Sequence, residues 1–185
     1  MYGTVMDQLT LSMGMAQYQL RAEDFERVVI GHQRQVLMTA VRLLGNLEDA
    51  QDAAQEVFLR LYKNLGRFDA SRELSPWLYR MTVNVCHDLR RKRKVTVSLV
   101  GVDPAAPAFD PLGERAAGER HAAVAEALLT LPEKERAAVV LRDIEGLPTS
   151  EVARILGSSE ATVRSQISTA RVKISRFLKG SGHVV

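Results

Sequence analysis

Apolar residues recur along this chain at intervals of three and four, the spacing of one buried helix face, and nowhere alternate as a half-buried strand requires. Phe25, Val28, Val29, Val36, Ala40, Leu43 and Leu44 predict a first long helix, stopped at Gly45 and Asn46. A cleaner stripe follows at Ala50, Ala53, Ala54, Val57, Phe58, Leu61, Tyr62 and Leu65, ending at Gly66, with Asp52, Gln55, Glu56 and Lys63 on its opposite face. Arg67 to Ser75 reads as a turn-rich loop. Pro76 suits the first turn of a third helix, where its missing N–H is no loss, and Trp77, Leu78, Met81, Val85 and Leu89 form that helix's apolar stripe.

Beyond Val95 the periodicity fails, because Gly101, Pro104, Pro107, Pro111 and Gly113 interrupt any regular element. Residues 96–118 are therefore expected to be a flexible linker, mildly acidic through Asp103, Asp110 and Glu114. Helical spacing resumes near Glu119 with Val124, Leu128 and Leu131, restarts at Pro132, and continues through Val140, Leu141 and Ile144 to Gly146. A short helix from Ser150 to Leu156 is closed by Gly157, and Ser158 or Ser159 caps a last helix striped by Val163, Ile167, Ala170 and Ile174. The expected fold class is all-α: two small helical domains, residues 21–95 and 119–180, joined by the linker. Residues 1–20 hold four methionines and no base, and read as a loose leader with an internal methionine as a candidate start.

Composition narrows the function classes. Hydrophobic residues make up 46% and charged residues 25%, as in ordinary globular proteins. No apolar run approaches the ~20 residues that span a bilayer, and the basic start of a secretory signal is missing, so a cytoplasmic protein without direct membrane insertion is expected. The single cysteine excludes an internal disulfide, and the four histidines show no metal-binding spacing. Cys86 and His87 are neighbours, about 100° apart on a helix, and cannot grip one ion together. With no paired acid and base, nucleophile motif or Gly-rich phosphate loop, the chain is not expected to be an enzyme; it offers no catalytic residue, metal site or cofactor site.

The net charge of +3 conceals a clustered distribution. Arg90, Arg91, Lys92, Arg93 and Lys94 form an unbroken basic run, whereas Glu48, Asp49, Asp52 and Glu56 carry acid with no base between them. Two faces for two partners is one reading; solvated helix surfaces is the plainer one. Thr149 to Lys173 has the spacing of a helix-turn-helix, whose second helix can enter the major groove. Thr162, Arg164, Ser165, Gln166, Ser168, Thr169 and Arg171 are its candidates for DNA contact, and from Ala161 onward Arg164, Arg171, Lys173, Arg176 and Lys179 occur without a single acid.

The run Asp49-Ala-Gln-Asp-Ala-Ala-Gln-Glu-Val-Phe-Leu-Arg-Leu-Tyr62, then Arg67-Phe-Asp69 and Pro76-Trp-Leu-Tyr-Arg-Met-Thr-Val-Asn84, resembles region two of extracytoplasmic-function (ECF) sigma factors. Leu131-Pro-Glu-Lys-Glu-Arg136, Leu141-Arg-Asp-Ile-Glu-Gly-Leu147, Glu151-Val-Ala and Thr162-Val-Arg-Ser165 resemble their region four. The resemblance covers nearly everything from Ala22 to Leu178. It implies a region 2 bundle of three or four helices and a region 4 helix-turn-helix. It also implies a promoter-specificity subunit whose partners are core RNA polymerase, promoter DNA and an anti-sigma factor wedged between the domains. Docking on the polymerase clamp helices maps to Asp52, Gln55, Glu56 and Arg60. Capture of an unstacked minus-ten base maps to Phe68, Asp69, Ser71, Arg80 and Asn84, with Arg90, Arg91, Lys92 and Arg93 on the phosphates. Recognition of the minus-thirty-five element maps to Thr162, Arg164, Ser165, Gln166, Ser168, Thr169, Arg171 and Lys173.

Two departures stand out. Gln166 and Thr169 occupy positions where the family often carries Arg or Lys, which leaves the minus-thirty-five preference open, and Ala54 replaces a bulkier aliphatic. Trp77 is expected in the core rather than as a stacking platform, with Tyr62 and Tyr79 open between the two roles. The rival reading is a helix-turn-helix regulator of the two-component output type, acting on duplex DNA without polymerase; its receiver domain would alternate strands and helices, and no such pattern is seen.

Overall fold

A computed structural model of the chain describes residues 25–64, 73–100 and 118–181. The leader at 1–20, the loop carrying Phe68, Asp69 and Ser71, and most of the expected linker lie outside those residues. Within them, residues 25–44 form α1, Leu47–Asn64 α2 and Leu74–Val100 α3. Gly118–Thr130 is α4, Glu133–Val139 α5, Thr149–Leu156 α6 and Glu160–Gly180 α7. No strand occurs among the described residues.

Gly45 ends α1 at φ 88°, its amide donating to the Val41 carbonyl at 2.8 Å. Asn46, expected only as part of that stop, also starts α2: its Oδ1 accepts from the Asp49 amide at 2.7 Å, and its Nδ2 donates to Asp49 Oδ2 at 2.6 Å. Helix α2 buries Ala50, Ala53, Val57 and Leu61 completely, in one cluster with Val36 and Ala40 of α1 and Leu78 and Val85 of α3. The two alanines let the backbones approach, and the Val and Leu side chains contribute roughly 1.5–3 kcal/mol each by leaving water. Trp77 packs partly buried against this cluster, as expected. Helix α3 runs past Val95 to Val100, because no glycine or proline follows Pro76 until Gly101.

In the second half, Pro132 precedes α5 in extended backbone geometry, at φ −54° and ψ 147°. The helix expected to continue to Gly146 widens into a π-helical turn over Val140–Ile144. There the Glu145 amide reaches back five residues to the Val140 carbonyl at 3.0 Å, and Gly146, at φ 77°, turns the chain out. Gly157 closes α6 in the left-handed region at φ 58°. Of the two candidate caps for α7, Ser159 serves, its Oγ accepting from the Thr162 amide at 3.1 Å.

The halves share a core. Leu128, Leu131, Val139, Val140 and Ala170 belong to the same buried cluster as Val36, Leu43, Val57 and Leu78. The approach is closest at Gly45, where a Cβ would stand 2.5 Å from a Leu129 methyl carbon. Arg136, 2% exposed, stitches the contact. Its guanidinium donates to the carbonyls of Leu128 (2.7 Å), Leu129 (2.6 Å) and Leu131 (2.9 Å) around the end of α4, and to Leu43 (2.7 Å) at the end of α1. One side chain thus donates to carbonyls at two helix ends, where backbone partners run out. Burial pulls its pKa down to about 10, which still leaves it charged at neutral pH.

Candidate nucleic-acid interface

At 100° per residue, the buried Ala50, Ala53, Val57 and Leu61 leave Asp52, Gln55 and Leu59 on the outward side of α2. Asp52 and Gln55 are exposed there, while Glu56 and Arg60 flank them, joined to each other at 2.7 Å. Arg60 also stands 3.8 Å from Asp88 on α3. Leu59, 47% exposed in the middle of this polar face, escaped the sequence reading because that reading sought only polar residues opposite the apolar stripe. Tyr62 is exposed and meets the Phe25 ring edge-on, with centroids 5.1 Å apart.

On α3 the buried Leu78, Thr82, Val85 and Cys86 point opposite a polar stripe of Arg80, Asn84, His87 and Arg91, all exposed. His87 joins Arg80 and Asn84 by i+3 and i+4 spacing, a signal present in the sequence but passed over. Consecutive residues of the basic run fan around the helix, about 100° apart. Arg93 turns back to Asp49 at the start of α2, Arg91 lies 3.7 Å from Asp88, and Arg90 reaches the Leu43 carbonyl at 3.2 Å and Glu133 at 3.6 Å. Tyr79 is buried, and its hydroxyl donates to Glu145 at 2.8 Å. Burial and that carboxylate raise its pKa, so it stays a neutral donor.

Helix α7 buries Val163, Ile167 and Ala170, so Ser165, Ser168, Thr169 and Val172 face outward. Val172, 55% exposed, is an apolar member of that face that polar-residue scanning overlooks. Arg164 and Arg171 lie on one flank and Thr162 and Gln166 on the other. The cations have carboxylate partners: Arg164 pairs with Glu160 at 2.6 Å, Arg171 grips both oxygens of Asp143 at 2.7 and 2.8 Å, and Lys173 meets Glu135 at 2.9 Å. The Asp143 hydrogen bonds raise the Arg171 pKa.

Between the halves lies a cleft of 390 Å³, lined by Asn84, His87 and Arg90 of α3 and by Gly157, Thr162 and Gln166 of the helix-turn-helix, among others. Candidates for the two promoter elements therefore share one cavity. Gln166 Oε1 is buried at this surface with no hydrogen-bond partner among the described residues. No group of three or more potential ligands able to hold a metal ion occurs among the described residues.

These surfaces coincide with two family signatures. The Sigma-70 region 2 model matches residues 28–96, and the Sigma-70 region 4 model matches residues 121–174. Among curated proteins, the chain is 36% identical to the ECF RNA polymerase sigma factor SigM of Mycobacterium tuberculosis over 83% of its own length and 76% of the relative's. This chain belongs to the ECF RNA polymerase sigma factors. The sigma factor SigW of Bacillus subtilis is 30% identical, with 84% of this chain and 89% of SigW covered. Among solved structures, CnrH in complex with the cytosolic domain of CnrY aligns with a TM-score of 0.63 and 29% identity, over 86% of this chain and 90% of CnrH. The sigma factor RpoE of Bartonella quintana, in complex with the anti-sigma factor NepR, shares the fold at a TM-score of 0.76 and 23% identity, over 85% and 98% of the two chains. An ECF sigma factor binds core polymerase and recognises promoter DNA to start transcription, and the region 2 match disfavours a regulator with a receiver domain.

Proposed function

We propose that the outward face of α2, with Asp52, Gln55, Glu56 and Arg60 around Leu59, docks this sigma factor on core RNA polymerase, and that the α3 stripe reads and opens the minus-ten element. Asn84 contacts the extruded base, Arg80 and His87 flank it, and Arg91, with Arg90, Lys92 and Arg93, holds phosphates beside the opened strand; Phe68, Asp69 and Ser71 share the minus-ten role. Extruding a base costs a few kcal/mol, which hydrogen bonds to its edge can offset. Helix α7 enters the major groove at the minus-thirty-five element through Thr162, Ser165, Gln166, Ser168 and Thr169, with Arg164, Arg171 and Lys173 on the backbone. Val172 suits contact with a thymine methyl group.

Residues 21–95 and 119–180 serve as the two functional domains. The protein works in the cytoplasm by binding alone, and an anti-sigma factor binds it and holds it in reserve; the sigma factor RpoE of Bartonella quintana is solved in complex with the anti-sigma factor NepR. The observation that carries this reading is the single exposed stripe of Arg80, Asn84, His87 and Arg91, set opposite a fully buried face. The test is run-off transcription from genomic fragments with core polymerase, comparing wild type with Asn84→Ala. Initiation at discrete sites, with promoter opening lowered at least tenfold and core binding unchanged, supports it; equal opening by the variant overturns the base-capture role.

A further inference from the structure

Helix α7 carries its positive charge unevenly. At about 100° per residue, Ser168, Thr169, Val172, Arg176 and Lys179 all fall within about 60° of Ser165, opposite the buried Val163, Ile167 and Ala170. All six are exposed, so the face assigned to the major groove continues unbroken to the last turn of the helix. Arg164 and Arg171 stand about 100–120° to one side of Ser165, and Lys173 about 80° to the other. They flank that face and do not belong to it.

Charge pairing divides the same residues. Arg164, Arg171 and Lys173 each hold a carboxylate of this chain, from Glu160, Asp143 and Glu135. A DNA phosphate must displace that carboxylate before it gains the cation. Arg176 and Lys179 need no such exchange, since no carboxylate lies within ion-pair distance of either among the described residues. The sequence explains this, because α7 contains no acid after Glu160 and so none three or four residues from either cation. Position along the axis also sets them apart from the base-reading residues. At 1.5 Å per residue, Val172 stands about 10 Å beyond Ser165, inside the roughly 12 Å width of the major groove. Arg176 and Lys179 stand about 17 and 21 Å beyond it, past the groove and over the sugar-phosphate strand that borders it. A helix laid across the groove thus meets base edges from Ser165 to Val172, and phosphates with its far end.

We infer that Arg176 and Lys179 are the principal phosphate anchors of the minus-thirty-five contact, gripping the strand that borders the major groove, whereas Arg164, Arg171 and Lys173 contribute only by giving up Glu160, Asp143 and Glu135. The inference rests on the reading that α7 enters the major groove, and adds two contacts to it. The far end of α7 then holds any duplex, and the part nearer its start selects the sequence. Two unpaired cations on phosphates release about 0.9 counterion each, so together they set nearly two units of the salt dependence of binding. Lys179 also suits the negative end of the helix dipole, but that stabilising role leaves the salt dependence of DNA binding untouched.

The test uses the full chain assembled with core polymerase and two fluorescent duplexes, the promoter mapped by run-off and the same promoter with its minus-thirty-five element scrambled. Dissociation constants are measured over a series of potassium chloride concentrations for wild type, for Arg176→Ala with Lys179→Ala, and for Arg164→Ala. Thermal melting followed by circular dichroism confirms that each variant keeps the wild-type fold. The double variant should bind both duplexes on the order of tenfold more weakly at about 0.1 M salt, with the slope of log affinity against log salt shallower by roughly two units. The ratio of affinities between the two duplexes should stay as in wild type, and Arg164→Ala should move the slope by less than about one unit. A double variant whose slope changes by less than about half a unit overturns the anchors. So does a loss confined to the intact promoter, since that is base reading. A full unit lost in Arg164→Ala overturns the ranking of unpaired above paired cations. Failure of the major-groove reading shows separately, as an unchanged ratio between the duplexes when Ser165 and Thr169 are both replaced by alanine; the salt slopes still decide the anchors in that case.

Discussion

Replacing Arg136 by methionine removes the guanidinium while roughly keeping the side chain's length, so the loss measures hydrogen bonds rather than a cavity. Four carbonyls lose this donor, although Leu43 keeps Arg90 Nη1 at 3.2 Å and Leu128 keeps the Leu131 amide at 3.2 Å. That of Leu129 is part-buried and regains water, whereas those of Leu43, Leu128 and Leu131 sit in buried bonds. At about 1–3 kcal/mol for the Leu131 acceptor left buried and about 0.5–1 kcal/mol for each of the Leu43 and Leu128 acceptors reduced to one donor, Arg136→Met should destabilise the protein by about 2–5 kcal/mol. For a chain of this size that lowers Tm by roughly 4–20 °C. Urea denaturation followed by far-UV circular dichroism reads the difference as a shift in midpoint at unchanged slope. Arg136→Lys should recover less than half, because one ammonium nitrogen cannot span carbonyls on two helix ends. A loss below about 1 kcal/mol, or full recovery with lysine, would refute the view that this guanidinium bridges the halves.

The exposed faces and the buried thiol give further expected outcomes. Leu59→Asp should lower affinity for core polymerase at least tenfold with the melting temperature unchanged, because the side chain is half exposed in the proposed docking face; pull-down with core enzyme checks it. Asp143→Ala releases Arg171, and should tighten nonspecific duplex binding while steepening its dependence on log salt by about one unit, as one more phosphate contact requires. Cys86, 2% exposed with its pKa pushed up to about 12, should resist iodoacetamide at pH 8 in the folded protein and react once urea unfolds it. Because the folded value lies above the unfolded one, this thiol's contribution to stability is complete below about pH 9 and disappears as pH climbs toward 12. A urea titration at pH 8, 10 and 11 follows that decline.

The sequence by itself determined the helices, their buried faces and the family. Period-three-and-four stripes, Gly45, Gly157 and the serine cap depend only on local geometry and are legible without coordinates. The same local rules left Asp52, Gln55, Arg80, Asn84 and the outer α7 residues exposed, as any polar residue opposite an apolar stripe must be. They passed over Leu59 and Val172, since a search of the outward faces for polar contacts skips an apolar side chain that the same helical period places there. They also treated Arg90 to Arg93 as a unit, although a helix sends four consecutive side chains to four directions. Only the tertiary structure decided how the halves meet. Glu145 and Thr39 are separated by 106 residues, and Arg136 and the Leu43 carbonyl by 93. Neither pairing has a sequence period, because such contacts are fixed by how whole helices pack and not by the spacing along any one of them.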